Sequence, residues 1–282
     1  VRIDDVLAEG PTTSFEFFPP KSDEESAVLT TTLAELEPLH PSFVSVTYRG
    51  GTESRQRTFE LVTEIERAGR FTAMAHLICV GHTRAEMRTM LANYARCGVQ
   101  NVMALGGDVP ERADGATEFT HAIDLVELVR ESGDFAVGVA AHPLGHPRSP
   151  DLVSDRRFLA AKLDAADFAI TQFFFGVDEW VRLVEELASL GVTKPVVPGI
   201  MPVTTLGGVK RMAEMGAPVP DELVARLEAA DRLGGAVAVR AEGIEAAREL
   251  CAALLDARAP GLHFYTLNRS TATREIHRAL FA

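Results

Sequence analysis

Eight short apolar runs recur along the chain, and each is followed by a stretch with helical spacing. Phe43–Tyr48 (FVSVTY), Phe135–Ala141 and Phe168–Phe173 are near-continuous rather than alternating. Strands that read this way are buried on both faces, as in parallel sheets covered by helices. The runs fall at 14–18, 43–48, 72–79, 101–105, 135–141, 168–173, 196–200 and 262–266. Helices are expected at 23–38, 54–68, 83–97, 119–132, 151–165, 177–190 and 271–280, with a lead-in helix at 1–9. Three more are expected at 204–215, 220–232 and 236–257, ahead of the eighth run. Eight strand–helix units predict a single (β/α)8 TIM barrel with extra helices before the last strand. A doubly wound open sheet is the alternative. It would carry a glycine-rich turn after the first strand, where this chain has Phe18-Pro19-Pro20. No linker or low-complexity tract divides residues 1–282, so one catalytic barrel domain is expected.

The first strand carries an anomaly. In Ser14–Pro20 (SFEFFPP) a carboxylate, Glu16, sits among Phe15, Phe17 and Phe18, and two prolines end the ladder. Alternation puts Phe15 and Phe17 on one face and Glu16 on the other. On an edge strand Glu16 is merely solvated. On a central, buried strand it is a carboxylic acid in an apolar site, with its pKa pushed toward neutrality.

A net charge of −12 argues against nucleic acid or an anionic membrane surface as main partner, though not against a phosphate-bearing cofactor. No apolar run approaches the roughly 18 residues of a membrane span. Val1-Arg2-Ile3-Asp4-Asp5 reads as the start of a folded segment rather than a secretory leader. Cys79, Cys97 and Cys251 are scattered and form no CxxC; they read as reduced core residues of a cytoplasmic protein.

In a parallel barrel the site lies at the C-terminal ends of the strands. Polar residues gather there: Glu16, Thr47-Tyr48-Arg49, His76, Gly106-Gly107-Asp108, His142 and His146, Thr171-Gln172, and Tyr265 through Arg269. Each has a plainer explanation. His76 alone suits a satisfied core histidine, Gln172 a cross-strand hydrogen bond, Asp108 a turn or helix cap, and Arg269 a cap for the last helix. His142 and His146 lack a third ligand and an HExxH frame, so no metal is expected. Their common location is what points to an active site.

The same residues carry a family likeness. SFEFFPP at 14–20, FVSVTY at 43–48, AHL at 75–77, Gly107-Asp108-x-Pro110, GVAAHPxxHP at 138–147, AITQFFF at 169–175, PGIMPV at 198–203 and HFYTLNRS at 263–270 span nearly the whole chain in order. The sequence resembles the methylenetetrahydrofolate reductases, in their short bacterial catalytic-barrel form. That resemblance implies reduction of 5,10-methylenetetrahydrofolate to 5-methyltetrahydrofolate by NAD(P)H through bound FAD, in a ping-pong cycle, by a homo-oligomer. It implies Glu16 and Asp108 as catalytic residues, Glu16 as general acid. Gln172 and Arg269 would bind substrate. Thr47, His76, Gly107, Asp108, His142, His146, Asp155 and Lys162 would hold FAD, Lys162 meeting its pyrophosphate. The chain departs from the pattern at Gly106, where the family usually has arginine, and at His142, where an aromatic stacks on the flavin. Phe158 and Ala161 replace polar flavin contacts of some members, and Met212 a phenylalanine. Arg49, in place of a small residue, is expected to compensate for the charge lost at Gly106. These departures keep three rivals in view: a flavin-free reductase on the same barrel, a paralogue acting on another folate or iminium, and a non-catalytic folate-binding protein.

Overall fold

The computed structural model describes residues 1–47, 52–107 and 118–281. Eight parallel strands close into a barrel in sequence order, β1 Thr12–Phe17, β2 Phe43–Val46, β3 Ala73–Ile78, β4 Asn101–Leu105, β5 Ala136–Ala141, β6 Phe168–Phe173, β7 Val196–Ile200 and β8 Gly261–Tyr265. The helices are α1 Ile3–Glu9, α2 Asp23–Leu36, α3 Thr52–Ala68, α4 Arg84–Arg96, α5 Ala122–Ser132, α6 Leu152–Ala165, α7 Val177–Ser189, α8 Leu206–Glu214, α9 Asp221–Asp256 and α10 Thr271–Phe281. The fold is thus a (β/α)8 TIM barrel, as the strand–helix alternation predicts. The two helices expected at 220–232 and 236–257 are both present within α9, separated where Gly234 and Gly235 leave helical geometry.

β1 is not an edge strand. It pairs with β2 on one side (Glu16 opposite Ser45) and with β8 on the other (Glu16 opposite Tyr265). Phe15 and Phe17 therefore face the helical layer and are fully buried. Each such side chain contributes about 1.5–3 kcal/mol by leaving water. Glu16 points the other way, into the barrel.

Two separate cores follow from this alternation. Between strands and helices lies a large apolar layer that includes Phe15, Phe17, Val44, Leu128, Leu163 and Phe264. Inside the barrel, Phe43, Met74, Met103, Phe168, Ile170 and Val197 pack with Ile3 and Leu7 of α1. Asn101 at the start of β4 accepts from the Ile3 N–H at 2.8 Å, so α1 stoppers the N-terminal end. The interior is apolar below and polar above, which leaves chemistry to the C-terminal end.

Helix starts obey local rules. Ser22, Thr83, Asp151 and Thr205 each accept a backbone N–H of the first turn of α2, α4, α6 and α8, and Thr83 forms a capping box with Glu86. Each cap contributes about 1 kcal/mol.

Candidate active site

The end of β1 is tied to the turn after β8. Thr266 Oγ1 donates to the Glu16 carbonyl at 2.6 Å. Asn268 clamps Phe18 from both sides: its Oδ1 accepts the Phe18 N–H at 2.7 Å, and its Nδ2 donates to the Phe18 carbonyl at 2.9 Å. This amide continues the ladder where Pro19 stops it. To reach, Leu267 and Asn268 adopt left-handed conformations, φ 51° and 58°. That costs about 1–2 kcal/mol per residue, and the clamp offsets it. The backbone that carries Glu16 is therefore fixed from the far end of the sequence.

Glu16 is 9% exposed. Its Oε2 lies 3.6 Å from His76 Nε2 and 3.7 Å from His263 Nε2. Burial pushes the His76 pKa down, against the attraction of Glu16, so His76 is neutral. Neither His76 ring nitrogen has a hydrogen-bond partner among the described residues. Ser14 Oγ meets His263 Nδ1 at 2.8 Å. Tyr265 donates its hydroxyl to the Thr171 carbonyl at 2.6 Å, and burial, with the charge of Glu16, raises its pKa well above the usual value. Among the described residues no lysine or arginine pairs with Glu16.

Across the barrel, β5 and α6 form a second cluster. Lys162, one turn from the end of α6, donates Nζ to the Ala140 carbonyl at 2.6 Å, and burial pushes its pKa down to about 8 despite Asp155. His142 and His146 sit edge to face, ring centroids 4.7 Å apart. Burial first, and His146 second, push the His142 pKa down to about 4. Asp155 spends both oxygens within the loop. Oδ1 accepts the His146 N–H at 2.9 Å and Ser149 Oγ at 2.8 Å, while Oδ2 accepts Arg156 Nη1 at 2.9 Å. Arg156, 4% exposed, also donates to Glu186 and to the His142 and Pro143 carbonyls.

β4 ends between these clusters. Gly107 has φ 84°, and a Cβ there would lie 2.2 Å from Ile78 Cγ2, so only glycine fits. Arg148, from the loop after β5, donates Nη2 to the Gly107 carbonyl at 3.0 Å and lies 3.8 Å from where a Cβ of Gly106 would be. A cation thus reaches the end of β4 through Arg148. Arg49, the expected compensation, and Asp108, an expected catalytic residue, lie outside the described residues, as does Tyr48.

Of the other residues singled out in the sequence, Thr47 ends β2, its N–H on the Phe17 carbonyl at 2.8 Å. Gln172 ends β6: its Oε1 accepts the Phe173 N–H at 3.0 Å and its Nε2 donates to Met215 at 3.4 Å. Arg269 is exposed in the turn before α10, outside the contacts that join Glu16, His76 and His263. Sequence reasoning singled out Thr266 and Asn268 only as polar residues after β8, quoted Ser14 and His263 only within motifs, and missed Arg148 and Arg156. Nothing in SFEFFPP or HFYTLNRS discloses contacts made some 250 positions away.

Comparison with known proteins supplies the lineage. The family model described as methylenetetrahydrofolate reductase matches residues 2–280. The 5,10-methylenetetrahydrofolate reductases of Salmonella typhimurium and Escherichia coli are each 35% identical over 269 residues, covering 95% of this chain and 90% of theirs. A methylenetetrahydrofolate reductase (NADH) of Arabidopsis thaliana is 34% identical over 95% of the chain and 48% of its own length. Among solved structures, a Clostridium thermocellum protein that binds two copies of 5-methyl-5,6,7,8-tetrahydrofolic acid shares the fold, with a TM-score of 0.70 at 11% identity over 98% of this chain and 96% of its own. With the motifs in family order and a buried carboxyl at the mouth of the barrel, the chain belongs to the methylenetetrahydrofolate reductase family of oxidoreductases.

Proposed function

We propose that the protein reduces 5,10-methylenetetrahydrofolate with electrons from NAD(P)H, through bound FAD in two alternating half-reactions, and that Glu16 is the general acid. The observation that carries this is Glu16 itself, 9% exposed, on a strand paired on both sides, facing two imidazoles and, among the described residues, no lysine or arginine. Its place at the mouth of the barrel is where a general acid must stand to reach bound substrate.

The residues present fit FAD. His76 has two unpartnered ring nitrogens, and a flavin edge supplies both donors and acceptors. Lys162 is an ammonium with three N–H groups and one hydrogen bond, to Ala140, and Arg148 lies exposed at the end of β4. Two cations at one end of a chain of net charge −12 suit a diphosphate. Lys162 and Arg148 would hold the phosphates, and Thr47, His76, Gly107, His142 and His146 the rings and ribityl chain. Asp155, engaged by the loop, would act by holding His146. When bound, FAD supplies the hydride it has taken from NAD(P)H.

The chain's own part is to make the folate an electrophile. Glu16 gives its proton to N10 of the substrate. The bond from N10 to the bridging carbon breaks, its electron pair stays on N10, and an iminium forms at N5 that accepts the hydride. Asp108 would orient the pterin by its charge, with Gln172 and Arg269 on the folate. A protein of the same fold, from Clostridium thermocellum, binds 5-methyl-5,6,7,8-tetrahydrofolic acid, which is in keeping with a folate substrate. A homo-oligomer in the cytoplasm belongs to the same reading, and light scattering would test the first part.

One observation favours direct hydride transfer without flavin. Lys162 turns inward onto Ala140, and at the surface of α6 Phe158, 61% exposed, and Ala161 offer no charge to a phosphate. Absorbance of the purified protein, before and after adding FAD and desalting, separates the two. A retained flavin band that bleaches with NAD(P)H and returns with methylenetetrahydrofolate supports the first. A colourless protein that oxidises NAD(P)H only when the folate is present supports the second. Glu16→Gln should abolish folate reduction and leave flavin reduction intact; loss of both half-reactions removes the acid role.

A further inference from the structure

Among the described residues no hydrogen bond holds the Glu16 carboxyl. The histidine Nε2 atoms stand 3.6 and 3.7 Å from Oε2, beyond hydrogen-bond reach. Where the carboxyl stands is therefore set by the strand that carries it. On the β8 side, Glu16 opposite Tyr265 is the last paired position of that strand. Three backbone groups come next on the same side, and side chains meet all of them. Thr266 Oγ1 donates to the Glu16 carbonyl at 2.6 Å, Asn268 Oδ1 accepts the Phe18 N–H at 2.7 Å, and Asn268 Nδ2 donates to the Phe18 carbonyl at 2.9 Å. The turn that supplies them is itself anchored. The Arg269 N–H closes on the Thr266 carbonyl at 2.9 Å, and φ values of 51° and 58° at Leu267 and Asn268 are those of a type I′ turn. The Asn268 N–H reaches Thr266 Oγ1 at 3.2 Å, and its carbonyl accepts Thr32 Oγ1 of α2 at 3.0 Å.

We propose that Asn268 is a positioning residue for the acid: its amide, with the Thr266 hydroxyl, extends the β1–β8 ladder past Glu16 and fixes the height of the carboxyl against bound folate. The inference rests on the acid role of Glu16. Pro19 and Pro20 offer no N–H, so the strand cannot continue the ladder by itself. Without the amide, the segment after Glu16 keeps its bond to β2, where the Thr47 N–H meets the Phe17 carbonyl at 2.8 Å, and loses its hold on the β8 side. The carboxyl then drifts with the backbone. Proton delivery is steep in distance, and a misplacement of about 1 Å costs about 100-fold in rate. Arg269, proposed for the folate, follows Asn268 directly, so one turn sets the acid and that side chain together.

Asn268→Gly removes the amide and spares the turn, because glycine takes a left-handed φ without strain. It should lower kcat for methylenetetrahydrofolate reduction by roughly 10- to 100-fold, the scale of a misplaced catalytic group. The solvent deuterium isotope effect on kcat should rise, because proton transfer has become limiting. Binding of 5-methyltetrahydrofolate, read by calorimetry, should change little. The melting midpoint should stay near that of the parent, since relief of left-handed strain offsets the lost hydrogen bonds. A second pair tests the same ladder without touching Asn268. Thr266→Val keeps the volume and removes the hydroxyl on the Glu16 carbonyl; it should lower kcat by less than Asn268→Gly while raising the isotope effect. Thr266→Ser keeps the hydroxyl and should recover both. A parental kcat in Asn268→Gly, a lower kcat with a parental isotope effect, or a Thr266→Ser protein as slow as Thr266→Val would overturn the proposal. Glu16→Gln tests the underlying reading apart. Folate reduction by that variant removes the acid role, whereas its failure alongside a parental Asn268→Gly removes only the clamp.

Discussion

Replacing Lys162 by methionine should stabilise the protein at neutral pH and weaken its hold on cofactor. The Lys162 pKa is pushed down from 10.5 to about 8 by burial. A lowered lysine pKa means that the folded state disfavours the ammonium relative to the unfolded chain. Below pH 8 both states are protonated and the whole penalty is present. Between about 8 and 10.5 the unfolded chain holds the extra proton, so stability rises with pH. Above 10.5 the penalty is gone. The full shift corresponds to about 3 kcal/mol. Partial exposure of the side chain and the Ala140 carbonyl left without its donor reduce the gain on substitution to about 1–2 kcal/mol. Methionine keeps the length of the stem and most of its packing. Urea unfolding of the apoprotein at pH 7 should show the gain as a higher midpoint with an unchanged slope, and the gain should vanish by about pH 10.5. Adding FAD should reverse the order, because ligand binding stabilises only the form that binds. A destabilised Lys162→Met apoprotein, or a gain independent of pH, would refute the assignment of a charge buried at a cost and held for a ligand.

Arg156→Met removes the donor to two carbonyls and two carboxylates beneath the loop that carries His142 and His146. Breaking a buried pair on one side costs about 3–5 kcal/mol, read as a lower urea midpoint; a loss under about 1 kcal/mol would make the strut dispensable. Gly199→Ala places a Cβ 2.2 Å from the Thr171 carbonyl and 2.6 Å from the Tyr265 ring. Overpacking of this kind costs about 1–3 kcal/mol. A thermal melt should show a lower midpoint, and Tyr265 fluorescence should change as its bond to Thr171 is displaced; an unchanged melt would mean that β7 shifts freely.

The strands were the legible part. Asn101–Leu105, Phe168–Phe173 and Val196–Ile200 have the predicted limits to the residue, each a short stretch rich in apolar residues between segments of helical spacing. β1 begins two residues earlier than expected, at Thr12, whose N–H is drawn onto the Pro260 carbonyl by a strand that sequence spacing does not show to be its neighbour. Glu16 stood out as a charge in an apolar run, and its burial depended on closure of the barrel, which no local pattern encodes. The same limit hid Arg148 and what Asn268 does: each acts on backbone far away in sequence, and neither residue type is unusual in a loop. Lys162 is a case where resemblance and geometry say different things about one side chain. The likeness implies a pyrophosphate contact, whereas the Nζ bond to Ala140 belongs to a lysine turned inward.

The two clusters lie on opposite sides of the barrel for an electrostatic reason. β1 and β5 are four strands apart in an eight-stranded ring, and so face each other across it. A cation within about 4–6 Å of a carboxyl favours its ionised form. A proton donor and a phosphate-binding ammonium therefore interfere if they share one strand end. Here the cations Lys162, Arg148 and Arg156 belong to α6 and the loop before it, while among the described residues Glu16 is bordered by His76, kept neutral by burial, and by His263 and Tyr265. The barrel supplies the separation that a helix or hairpin of this size lacks, because its strand ends form a ring wide enough to hold opposed environments in one mouth. Placing an arginine beside Glu16, as in Ser45→Arg, should on this argument suppress folate reduction more than NAD(P)H oxidation by a quinone. Equal loss of both would mean that the substitution acts by disrupting the barrel and not through its charge.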